Sequence, residues 1–87
     1  MTIQYHSKFK KQYKKLHLKQ QLQFDMRLKQ FLRDSTAPEL RVHPLKGNFL
    51  GYWSMNISGD LRVLYYQEGN ITVVFALIGT RSQLYGQ

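Results

Sequence analysis

Four side chains in the second half of this 87-residue chain have the chemistry of phosphate handling: His43, Arg62, Arg81 and Tyr85. A guanidinium fork holds two phosphate oxygens at once and keeps its proton at any working pH, so Arg62 and Arg81 suit charge stabilisation and not proton abstraction. Imidazole is the side-chain type whose charge changes near neutrality, which makes His43 in "RVHPLKG" a candidate general acid or base. A loop histidine packed beside Pro44 is the alternative. Taken singly, Arg62 also reads as a solvent-facing strand residue and Tyr85 as a cap for the core. His6 and His17 lie in the helical half, and no His/Asp/Glu spacing points to a metal or any other cofactor. With no cysteine, disulfides and thiolate ligands are excluded, as fits a reducing cytosol.

The surroundings of these four are strongly cationic, but only on one side of the chain. Residues 1 to 46 hold eleven Lys/Arg against Asp25, Asp34 and Glu39, and residues 47 to 87 hold two against two, so the whole net charge of +8 sits in the first half. Lys8, Lys11, Lys15 and Lys19 recur every three or four residues and predict one cationic helix surface. Such a field attracts phosphate polyanions or an acidic protein and repels a second copy of itself. A solvated face that confers only solubility is the bland reading. Mixed-sign surfaces are the usual solution for solubility, which favours a polyanion or acidic partner.

The elements that must position the site follow from periodicity. "TIQYH" alternates and reads as an edge strand. Ser7 offers an N-cap, and Phe9, Tyr13 and Leu16 form an apolar stripe at helical spacing. Leu22, Phe24, Met26, Leu28, Phe31 and Leu32 continue at helical spacing to Asp34, where "DSTAPEL" breaks the pattern, so two helices form a hairpin. "RVHPLKGNFLG" reads as a loop. "YWSMNI", "SGD" and "LRVLYY" read as a β-hairpin, "QEGN" as a second turn, and "ITVVFALI" as a central strand buried on both faces. The expected fold is α+β, one domain over residues 1–87, with an N-terminal strand and a helical hairpin on one face of a small, mainly antiparallel sheet. If the last strand ends at Gly79, Arg81 and Tyr85 project from its end. Arg62, Asn56 and Ser54 then face the same cleft by alternation.

No stretch approaches the ~20 apolar residues of a membrane span, and the N-terminal segment has no apolar core of signal-peptide length. The expectation is a soluble, cytoplasmic protein without a membrane partner.

"HPLKGNFLGYWSMNISGDLRVLYYQEGNITVVFALIGTRSQLYG" resembles the RelE/ParE superfamily of bacterial type II toxin–antitoxin toxins, nearest to its YafQ-like branch. The likeness covers essentially the whole chain: a helical hairpin, then "HPLKG", "SGDLRVLY" and a terminal "IGT-x-SQLY". It implies a small ribonuclease that cuts messenger RNA in the ribosomal A site, contacts ribosomal RNA, and is held inactive by a cognate antitoxin of acidic and apolar character. A heterotetrameric toxin–antitoxin complex is one assembly it allows. Residue by residue it points to His43, Lys46, Asp60, Arg62 and Tyr85, with Arg81 where the YafQ-like branch typically carries histidine and Asn56 where some members do. Arg81 is instead similar to the RelE branch, whose paired strand lysines are replaced here by Trp53 and Met55.

The implied chemistry is cleavage without a metal, in which the 2′-hydroxyl attacks the phosphodiester. It needs a base, an acid for the 5′-oxygen and charge stabilisation at the phosphorane. Arg62 and Arg81 take the last role and His43 acts as acid or base. Tyr85 serves as a weak base or as a group that orients the substrate by stacking or hydrogen bonding. Two alternatives remain: a ParE-like inhibitor of DNA gyrase, and a catalytically weakened module that only binds its antitoxin.

Overall fold

In a computed structural model describing residues 1–86, the alternating N-terminal stretch is β1 (Thr2–Tyr5). Two helices follow, α1 (Ser7–Lys14) and α2 (Leu18–Arg33), then β2 (His43–Pro44), β3 (Trp53–Ser58), β4 (Leu61–Glu68), β5 (Thr72–Thr80) and a short α3 (Arg81–Tyr85). The strands form one sheet in the order β1-β5-β4-β3-β2. β1 runs parallel to β5, and the other neighbours are antiparallel. The α+β class holds, with two corrections. The sheet has five strands, because the "RVHPLKGNFLG" segment contributes β2, which pairs His43 with Ser54 and Pro44 with Trp53. Ser7 is the first helical residue and not the cap; His6 caps α1, its Nδ1 accepting the Lys8 N–H at 3.3 Å.

The hairpin turns because α1 tightens at its end. Lys15 and Leu16 donate backbone N–H bonds three residues back, and the Gln20 side chain then accepts the His17 N–H at 3.1 Å to start α2. Asp34 ends α2 by leaving the helical region, and its carboxylate takes up the Thr36 hydroxyl at 2.6 Å and N–H at 3.0 Å. Those bonds hold the Asp34 carboxyl below the usual carboxylate range.

The core lies between the hairpin and one face of the sheet. Phe9, Phe24 and Phe31 bury against Met55, Ile57, Val63, Phe75 and Ile78. The Phe75 ring is the hub, with the rings of Tyr5, Phe9, Phe24, Phe31 and Tyr65 centred 5.7–6.0 Å away in tilted, stacked or edge-on arrangements of the kind aromatic pairs favour. β5 is buried on both faces as expected, since Val74 and Ala76 are covered on the side away from the hairpin. Side chains from the hairpin finish the exposed backbone. Gln12 accepts the Ile78 N–H at 2.9 Å where β1 no longer flanks β5, and Arg27 donates to the Ile57 carbonyl at 3.1 Å on β3.

The glycine that ends the apolar run has a specific reason to be there. α3 folds back over Gly79, and a Cβ at that position would meet Gln83 Oε1 at 2.8 Å, Gln83 Cβ at 3.3 Å and Leu84 Cδ2 at 3.4 Å. Gln83 is not free to move aside, because its Oε1 accepts the Thr80 N–H at 2.9 Å while its own N–H goes to Thr80 Oγ1 at 3.3 Å, a reciprocal cap. Gly79→Ala should therefore lift α3 from the sheet and cost about 1–3 kcal/mol, as overpacking does. A urea titration measures this as a lower midpoint; an unchanged midpoint would mean that α3 adapts freely.

Candidate active site

Alternation and register bring the sequence-predicted residues to the sheet face opposite the hairpin. Asn56 lies across from Arg62, and Arg62 across from Gly79; one step along, His43 lies across from Ser54, and Ser54 across from Leu64. Directly paired residues share a face, so His43, Ser54, Asn56 and Arg62 converge. With Arg41 and Gly59 they line a cavity of about 220 Å³.

The floor of this cavity holds an unusual pair of unmet hydrogen-bonding atoms. The Arg62 side chain is only 17% exposed, and its Nε–H has no acceptor. The Asn56 Oδ1 beside it is buried without a donor. Buried polar atoms are nearly always paired, because an unmet one costs roughly 1–3 kcal/mol. Both residues line the cavity, so these two open groups are the ones a bound group could engage once it enters. Asp60 sits at the rim, with Oδ1 3.9 Å from Arg62 Nη2 and Oδ2 accepting the Arg81 N–H at 3.3 Å. Its carboxylate thus pairs loosely with the Arg62 fork and bonds the backbone of the first residue of α3.

His43 is held by the backbone. Its Nδ1 lies 2.9 Å from the Arg41 carbonyl, which can only accept, so Nδ1 carries a proton and Nε2 is the ring nitrogen left without a protein partner. Arg41 is the one non-glycine residue with positive φ among the described residues, at φ 48°. Bulky residues avoid this left-handed region, and such strain gathers at functional sites. Arg41 also brings a second guanidinium to the cavity, which sequence reasoning missed. No sequence signal marked it, because its left-handed backbone brings it to the cavity and strand alternation does not.

Arg81 and Tyr85 do not line the cavity. They do not project from a strand end; they are the first and last residues of α3, four apart and so on one side of it. α3 covers the β5 side of the face, so its residues form a wall beside the cavity that Arg41 and His43 line. Tyr85 packs edge-on to Phe49 at 5.6 Å, Phe49 to Tyr52 at 5.9 Å, and Tyr52 to Tyr66 at 5.4 Å. This aromatic chain next to the cavity was not anticipated either. Lys46 caps the 3-10 turn Gly47–Phe49 and is exposed outside the cavity.

The lysines also differ from expectation. Lys8 and Lys11 are on α1, Lys15 caps its end, and Lys19 is on α2, so the cationic surface bends with the hairpin and is not one helix face. Lys15 and His17 nevertheless border a cleft with Thr80 and Gln83, which brings the basic turn to the start of α3.

The chain matches the family model described as the YafQ bacterial toxin of type II toxin–antitoxin systems, over residues 1–86. No curated protein matches it. Among solved structures, YafQ from E. coli strain BL21(DE3) is similar at 27% identity and a TM-score of 0.70, covering 97% of each chain. The YoeB/ParE toxin from Agrobacterium tumefaciens shares the fold at 19% identity and a TM-score of 0.77, covering 93% of this chain and 99% of that one. YafQ in the E. coli DinJ–YafQ complex does so at 23% and 0.69, covering 97% of each. A family match that spans all but the last residue, on a RelE-like α+β sheet, settles the affiliation: the chain belongs to the YafQ family of type II toxin–antitoxin toxins, within the RelE/ParE superfamily.

Proposed function

We propose that residues 1–87 act as one toxin domain, a ribosome-dependent endoribonuclease that cuts messenger RNA in the cytoplasm and so stops translation. The observation that carries this reading is the open pair of Arg62 Nε–H and Asn56 Oδ1 on the cavity floor. A phosphodiester oxygen accepts from the first, and a base amino group or a neighbouring ribose hydroxyl of the same strand donates to the second, which leaves the attacking 2′-hydroxyl to His43. His43 Nε2 takes the 2′-hydroxyl proton as the oxygen attacks phosphorus. Arg62 and Arg41 hold the charge that builds on the phosphorane, and the 5′-oxygen leaves with a proton, from the imidazolium just formed or from water. Arg81 adds positive charge from the α3 wall. Tyr85, within the aromatic chain, orients a flanking base by stacking. Asp60 supports Arg62 and α3, and Asn56 and Lys46 contact the RNA.

The bent cationic surface binds the ribosome in this reading. Replacing Lys8, Lys11, Lys15 and Lys19 with Gln should weaken association and lower the slope of log affinity against log salt by up to roughly 3, the loss expected for four phosphate contacts. Sedimentation with ribosomes over a salt series measures it, and an unchanged slope removes these lysines from the interface.

As a type II toxin the protein is neutralised by a cognate antitoxin, as the DinJ–YafQ complexes of relatives exemplify. The deciding experiment adds purified protein to translating ribosomes and maps new mRNA ends, with a gyrase supercoiling assay in parallel. Cleavage at discrete codons with intact gyrase activity supports the nuclease. Gyrase inhibition without cleavage assigns the fold to the ParE-like activity.

A further inference from the structure

The sheet face that holds the Arg62 cavity carries a second feature further along the strands. Leu61, Val63 and Tyr65 of β4 point into the core, so Arg62, Leu64, Tyr66 and Glu68 alternate onto the open face. β3 runs beside them, with Asn56 and Ser54 on that face and Tyr52 next in the row, just before the strand begins. Four residues at roughly 3.3 Å each put Tyr66 about 13 Å along the strand from Arg62. That lies beyond the nucleotide whose phosphate meets the Arg62 guanidinium and within reach of one further along the same RNA.

Tyr52 and Tyr66 form a corner. Their ring centroids lie 5.4 Å apart at an interplanar angle of 76°, and Phe49 backs Tyr52 edge-on at 88°. Both tyrosines are half-buried. A base stacked on one ring stands edge-on to the other, and aromatic groups favour both arrangements. Charge bounds the corner. Lys46 is exposed one residue past Leu45, whose N–H bonds the Tyr52 carbonyl at 2.9 Å, so a cation stands ready for the phosphate of a base in the corner. Glu68, exposed at the next place beyond Tyr66, repels phosphate, and an RNA strand that follows the face leaves it there.

We propose that Tyr52 and Tyr66 form a stacking subsite that holds one base of the messenger RNA, that of a nucleotide flanking the scissile phosphodiester. The inference rests on the nuclease reading, which fixes where the strand enters the face. The subsite is separate from Tyr85, which stands on α3 beside the cavity and takes a nearer base. Every base offers a π-face, so the corner positions the strand without selecting its sequence. The competing role for Tyr66 is to cover Val74, which lies directly across from it and is buried. A cover needs apolar bulk, whereas a stacking platform needs an aromatic face.

The test is single-turnover cleavage on programmed ribosomes, using messages in which each base near the cut is replaced in turn by an abasic residue. In the parent, one flanking position should lower kcat/KM by roughly 5- to 100-fold, the scale of one lost stacking contact. Tyr66→Leu, which keeps apolar bulk, should lower cleavage of the intact message by a similar factor and then be indifferent to the abasic residue at that position. Tyr66→Phe should behave as the parent, and Tyr52→Leu as Tyr66→Leu. Thermal melting of each variant checks the fold. A flat abasic scan in a parent that cuts normally overturns the subsite and leaves the nuclease standing. Effects of Tyr66→Leu and the abasic residue that multiply, or a failure of Tyr66→Phe to retain the parent's behaviour, also overturn it. Weaker sedimentation of Tyr66→Leu with ribosomes, equal for every message, gives the corner to a ribosomal RNA base and overturns it too. If the parent cuts nothing, the nuclease reading falls, and anisotropy of the same RNAs in short labelled form with the full chain decides the subsite: coupling between Tyr66→Leu and one abasic position sustains it, and its absence overturns it.

Discussion

Arg62→Ala should lower single-turnover mRNA cleavage on programmed ribosomes by about 100- to 1,000-fold, the scale for removing one preorganised stabiliser of developing charge. The argument rests on how the side chain is placed. Arg62 is fixed by the sheet between Asn56 and Gly79, it is mostly shielded from water, and its Nε–H is unspent in the resting protein. A donor held in low-dielectric surroundings before the substrate arrives needs no reorganisation when charge builds on the phosphorane, so it contributes more there than an exposed arginine would. The fold should survive the change, because Asp60, the partner left behind, is 52% exposed and remains hydrated. Arg62→Lys should recover little, since an ammonium at the end of a flexible stem offers a point charge and no donor at the Nε position. Activity within threefold of the parent in Arg62→Ala, with melting unchanged, would move the chemistry away from the cavity.

The hairpin, β3, β4 and β5 were legible because each keeps one strong period: aromatic residues four apart in α1, strict alternation through "YWSMNI" and "LRVLYY", and an unbroken apolar run in β5. The same alternation placed Asn56 and Arg62 on one face. β2 was hidden because two residues carry no period at all, and Pro44 argues for an edge or a loop. α2 was legible as a helix, but its facing was not. Its apolar residues cover two sides of the helix, and periodicity records spacing without saying which side the sheet will take. α3 was unreadable from propensity, since five residues rarely hold a helix alone; the reciprocal cap of Thr80 and Gln83 and the bare surface of Gly79 make it. That is also why Arg81 and Tyr85 became a wall and not the end of a strand. Arg41 escaped notice since its value depends on a left-handed backbone, which no residue count discloses.

His43→Gln should cost about 100- to 10,000-fold in the same assay, the range for loss of a positioned acid or base. The Arg41 carbonyl holds a proton on Nδ1 and leaves Nε2 to meet the 2′-hydroxyl. A glutamine amide can reach the same space but cannot take up a proton. The two possible roles separate by leaving group. A substrate with sulfur in place of the bridging 5′-oxygen departs without needing an acid. If His43 acts mainly as acid, that substrate should restore His43→Gln nearly to the parent rate; if it acts as base, the defect should persist. Arg41→Gly completes the argument, because it keeps the carbonyl and accommodates the left-handed backbone while deleting the second guanidinium. Its rate should then fall through lost charge stabilisation with the pH profile of the parent intact. A changed profile in Arg41→Gly would mean that the arginine acts on His43 and not on the phosphate.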